Sequence, residues 1–235
     1  MEDEVKKHVD KIHKAVKNPN HTIREKIVEV AIEVCIIIFA ITVSIWLHGW
    51  SEHRHQQEEV KVFLKNMKDD ISQDIKKFNE GKDSFVEMGK EYNNIINLKS
   101  YQFDSLAKSN KTVYFPFHSA SKKINEGNYE GFKTSGKIGY IENEKLKKLI
   151  LSYYQESLLA VVEVDNYYNQ YLFRMFDFKI KNGGKSEKEI YSNPEFRELL
   201  KLLIFLGQND ARVYDEIGIT IAKQIIEEID KENNQ

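Results

Sequence analysis

A single cysteine, Cys35, in 235 residues leaves this chain without an internal disulfide and without a Cys-based zinc site. Only 3 prolines interrupt it, and alternating apolar–polar runs of useful length are missing. Ile, Leu, Lys and Glu dominate instead, so the expected fold class is all-α. An excess of one charge is lacking too: 35 Lys+Arg face 37 Asp+Glu, which speaks against a dedicated duplex-DNA binder. No Gly-x-Gly-x-x-Gly is present, and Gly183-Gly184-Lys185-Ser186 lacks the upstream glycine and helical setting of a phosphate loop. At 41% hydrophobic and 31% charged, the chain is too apolar for disorder and too charged for a polytopic membrane protein. No catalytic signature is found, so neither an enzyme nor a cofactor is expected.

What is present is one long apolar stretch. Val34 to Leu47 gives 14 residues without a charge. As a helix these span about 21 Å, short of the roughly 30 Å hydrocarbon core. Extension from Ile27 to Trp50 reaches 24 residues, or about 36 Å. Trp46 and Trp50, the only tryptophans, then fall at one end, where an aromatic belt belongs. The stretch runs on into charged helix and has no small-residue cleavage site, unlike a signal peptide.

Extension also brings Glu29 and Glu33 towards the bilayer, where a mid-membrane charge costs roughly 2.5–3.5 kcal/mol. Glu29, Glu33, Ala40, Ser44, His48 and Ser51 share an arc of about 100° on the helix. A polar stripe of this kind fits several copies packed with the stripe inward, Glu29, Glu33, Ala40, Ser44 and His48 lining a lumen that attracts cations. The alternative is that the glutamates belong to the helix start. Thr22-Ile23-Arg24-Glu25 has capping-box spacing, and acidic residues suit the first turns.

Three regions are expected: an amphipathic segment over 1–20, the membrane helix over 21–51 and a soluble helical bundle over 52–235. Val5, Val9, Ile12 and Val16 mark the apolar face of the first. A long helix from about Glu52 to Leu98 carries Leu64, Met67, Ile71, Phe78, Phe85 and Tyr92 at heptad-like spacing, with Asp70 and Asp74 placed off that seam and Gly81 and Gly89 as bends. Further helices are expected from Glu144 to Phe178 and from Pro194 to Glu232, the latter bending at Gly207.

Four stretches stand out: Ile45-Trp46-Leu47-His48-Gly49-Trp50-Ser51-Glu52-His53-Arg54, Phe63 to Ile71, Phe132-Lys133-Thr134-Ser135-Gly136-Lys137-Ile138, and the paired Tyr153-Tyr154. On these the chain resembles an uncharacterised family of single-pass bacterial membrane proteins common in Bacteroidetes. His48-Gly49 stands where the family usually has a more amide-rich stretch. The resemblance implies a bacterial inner-membrane protein with a helical soluble domain, and no activity.

Between 108 and 141 the chain is locally basic and aromatic. Lys122, Lys123, Lys133 and Lys137, with Tyr129, are the candidate contacts for an anionic nucleotide or single-stranded nucleic acid. The competing reading puts these aromatics in the bundle core. Glu52-x-x-His55, with His48 and His53 nearby, is too sparse for a metal site. Together these features suggest a homo-oligomeric ion channel or pore-forming effector, held through the membrane and long helices and gated by the bundle, as in anti-phage defence. The alternative is a non-conducting, membrane-anchored scaffold. Seven basic residues before the membrane helix against five in the first 26 residues after Trp50 lean to a cytoplasmic N-terminus, which would exclude a cytoplasmic ligand for the bundle.

Overall fold

The computed structural model describes residues 2–17, 22–120 and 124–233, and every regular element among them is helical. Lys122 and Lys123, two of the expected ligand residues, lie outside the described residues, as do the side chains of Val5 and Val16. The chain divides into two units, Met1–Glu59 and Val60–Gln235.

The first unit holds helix α1 (Glu2–Lys17) and the opening of α2 (Ile23–Asn97). α2 begins at the expected capping box. The Thr22 backbone N–H donates to the Glu25 carboxylate at 2.7 Å, and the Glu25 N–H returns to Thr22 Oγ1 at 3.4 Å. Beyond it α2 contains one stretch long and apolar enough to cross a membrane, and none of that stretch is buried by the rest of the chain. Within it the Thr42 hydroxyl donates to the Ile38 carbonyl at 2.8 Å, so the one hydroxyl between Ile38 and Val43 satisfies itself on its own helix.

The second unit is built on the remainder of α2. Val60, Leu64, Met67, Ile71, Asp74, Phe78, Gly81, Phe85, Met88, Tyr92 and Ile95 form one buried row at steps of three and four residues. The helices that bury it are α5 (Glu144–Ser152), which continues through a π-helical turn at Tyr153–Ser157 into α6 (Leu158–Lys181), and α8 (Pro194–Val213), which continues through a second π-helical turn at Tyr214–Ile219 into α9 (Thr220–Asn233). α6 packs on α8 and α5 on α9. The shorter α3 (Ser100–Lys108), α4 (Gly127–Thr134) and α7 (Glu187–Tyr191) close the ends and sides. Asn143 caps α5 through Leu146 N–H at 3.0 Å, and Asn193 caps α8 ahead of Pro194.

Three expectations need correction. Gly81 and Gly89 do not interrupt α2, which runs through both. α8 likewise runs on through Gly207. That glycine and Gly218 make room for α2: a Cβ at 207 would stand 3.2 Å from the Phe85 ring, and one at 218 only 3.0 Å from Phe78. Asp74 is not off the seam but in it, fully buried. Finally, the row from Leu64 to Tyr92 was expected to hold subunits together. It is instead covered by the same chain's helices, so it offers no surface to a second copy.

Candidate functional site

The polar stripe of α2 is half covered. Lys26, Glu29, Val30, Glu33 and Ile37 recur at helical spacing as the partly buried face of an otherwise exposed stretch. Glu33 explains part of that cover. Its carboxylate is hydrogen-bonded to His8 Nδ1 of α1, and Lys11 Nζ stands 3.6 Å from its other oxygen. Glu29 and Ser44 are half-buried on the same side, while Ala40 and His48 are exposed. Of the five expected lumen residues, the deepest carboxylate therefore has basic partners within its own chain. At the far end of the stretch the Arg54 guanidinium lies 5.0 Å over the Trp50 ring, a charged head resting on an interfacial aromatic.

The basic–aromatic region is turned differently from what a nucleotide site requires. Tyr129 is 1% exposed and stacks on Tyr154 with ring centroids 4.1 Å apart, while its hydroxyl accepts from Gln155 at 2.9 Å. No face of that ring is left for a base. Lys133 stands 3.5 Å from Glu130 and 5.2 Å over Tyr129, and Lys137 is half-buried in the 3-10 turn Lys137–Tyr140. Phe132 stacks on Phe63 at 3.8 Å. Phe115 is enclosed by Tyr92, Tyr191 and Phe196, with Lys179 Nζ 3.9 Å above it and donating to the Tyr191 hydroxyl at 2.9 Å. Burial of that amine lowers its pKa, against the pull of Glu187. Tyr129 and Phe132 are thus core and Phe115 is partly covered, while Tyr114 and Phe117 stay exposed.

Three aspartates form the polar interior of the bundle. Asp74 accepts from Lys77 Nζ at 3.1 Å and from the Asn125 backbone N–H at 3.2 Å, tying the segment before α4 to α2. Burial raises its pKa against those partners. Asp165 of α6 accepts the Tyr214 hydroxyl. Beside it lies Asp210 of α8, 1% exposed, with one carboxylate oxygen lacking any hydrogen-bond partner. Burial first, and Asp165 second, push the Asp210 pKa up to about 7. The two π-helical turns begin at Tyr153 and Tyr214 and pack against each other, and the Tyr153 hydroxyl is also buried without a partner. Such turns recur at functional sites. Here the group is closed to solvent, so it can store a proton and shape stability but admits no reactant.

Sequence reasoning missed these three residues, although a signal existed. Asp74 falls on the buried row of α2, Asp165 on the row Leu158–Val161–Tyr168–Leu172, and Asp210 on the row Phe196–Leu200–Leu203–Gly207. An acidic residue at a core step is the mark of a buried carboxylate. Elsewhere, His55 pairs along the helix with Glu59 at 3.7 Å, and Ser186 caps α7 through Glu189 rather than opening a phosphate loop. Among the described residues no three His, Cys, Asp or Glu side chains come together in a way that could hold a metal ion. No family model, no curated protein and no solved structure matches this chain.

Proposed function

We propose that this chain is a non-conducting, single-pass protein of a bacterial inner membrane, anchored by the first part of α2, whose helical bundle acts by binding a macromolecular partner. It is not an enzyme in this reading. The observation that carries it is the pairing of Glu33 with His8 and Lys11: the carboxylate that would head a cation-attracting ring is neutralised inside one copy. A charge so paired also costs less to hold near a bilayer than a free one. The burial of Tyr129 and Phe132 takes two rings from the stacking half of a nucleotide site, which speaks against ligand gating as well.

A homo-oligomeric channel is the second reading. The half-covered stripe of Glu29, Glu33 and Ser44 on one face of an apolar helix favours it. Cation flux from liposomes holding the purified chain separates the two. The anchored reading expects no flux above empty liposomes, and no change with Glu29→Gln/Glu33→Gln. Flux that is lost in the double variant would establish the pore instead.

A further inference from the structure

α6 has two apolar faces, and only one is used. Leu158, Val161, Tyr168, Leu172 and Met175 point into the core. On the outer side Leu159, Val162, Phe173, Phe176 and Ile180 are between 38% (Phe176) and 67% (Ile180) exposed. Together with Asn166 and Asn169 these positions step by three and four over about 32 Å of helix, the spacing of a seam that receives another helix. The stripe is also braced. Asn169 accepts the Ala120 backbone N–H at 2.8 Å and donates back to its carbonyl, which lays Phe117 of the same loop on Phe176 with centroids 4.5 Å apart. Phe117 is itself 43% exposed and widens the apolar surface.

The area indicates the occupant. At about 200 Å² for a fully exposed large apolar side chain, these six offer on the order of 600 Å². Two such faces laid together remove about 1,200 Å², above the roughly 1,000 Å² that a specific interface needs. A twofold pair uses the same patch on both partners, so one stripe is enough for closure. Asn166, exposed in the middle of the stripe, is the kind of single polar step that sets register in a helix pair. The other candidate self-surface, the seam of α2, is already filled by the chain.

We propose that the outer face of α6, from Leu159 to Ile180, is the interface through which two copies of this chain pair. This deepens the anchored reading and rests on it in one respect: copies held in one membrane meet at a raised effective concentration. The bundle's first partner is then its own twin.

The test uses the full chain. Vesicle flotation reports anchoring, and the protein mass in mild detergent, by sedimentation or light scattering, reports pairing. The wild type is expected to carry two copies, and Leu159→Glu/Phe173→Glu to carry one with the same helical circular dichroism. Val162→Glu/Ile180→Glu repeats the test at the other steps of the stripe in case the first pair disturbs folding. A wild type of any other copy number overturns the interface, including a single copy that leaves the face to a different protein. So does a dimer that both folded double variants leave intact. Flotation that succeeds while pairing fails leaves the anchor standing, and flotation that fails removes the anchor whatever the mass.

Discussion

The two parts of α2 are built from one unbroken helix and obey different rules. Between Ile27 and Trp50 its large apolar side chains, Ile32, Ile38, Phe39, Ile45 and Trp46 among them, stand exposed around the helix, while Glu29, Glu33, Ser44 and His48 share one arc. From Val60 onward most apolar residues keep to one buried row, Val62 and Val86 aside, and the rest of the surface is polar or charged. In water the second arrangement is stable because each side chain on the row is removed from solvent, at roughly 1.5–3 kcal/mol apiece. The first gains far less in water, since most of its large apolar side chains stay exposed. An apolar surface of that kind suits a medium as apolar as itself. Helix formation alone is therefore uninformative here, and the distribution of apolar residues around the helix carries the difference.

Substitutions on the two sides of that boundary sharpen the contrast. The largest effect is expected at Phe78, fully buried against the ring of Tyr214 at 5.2 Å. Phe78→Ala should cost the bundle about 3–5 kcal/mol in denaturant unfolding, while Phe39→Ala in the exposed stretch should leave that transition unmoved. Equal losses from both would mean that the stretch is part of the folded core after all.

Asp210 comes next. Its folded pKa, raised to about 7, lies above that of an unfolded aspartate, so the native state holds the proton longer. That contribution is complete below about pH 4 and is lost as the pH climbs to about 7. Asp210→Asn should therefore match the wild type at low pH and exceed it by about 4 kcal/mol at pH 8. A gap independent of pH would remove the aspartate from this role. The smallest effect belongs to packing clearance. Gly218→Ala places a methyl 3.0 Å from the Phe78 ring and should destabilise by about 1–2 kcal/mol, read as a lowered midpoint with unchanged slope.

Periodicity made the helices, the apolar stretch and the buried face of α2 legible, because each depends on neighbours three and four residues away. Thr22, Asn143 and Pro194 likewise marked helix starts through local chemistry. What stayed hidden depends on partners distant in the chain. Nothing near Tyr129 announces that Tyr154 covers it, and nothing near Glu33 announces His8. Glycines misled for the same reason. Gly207 looks like a bend from within its own helix, and only the approach of Phe85 shows what it is for. The outward stripe of α6 was readable as a second apolar row, but a tyrosine-rich helix drew attention to its composition rather than its two faces.

The most direct test of the anchored account uses the native Cys35, which is the chain's only thiol and stands exposed within the apolar stretch. With the protein in sealed vesicles, Cys35 should resist a membrane-impermeant maleimide applied from either side and react fully once detergent and denaturant are added. Rapid labelling in intact vesicles, at the rate of a surface thiol, would contradict a membrane-spanning α2.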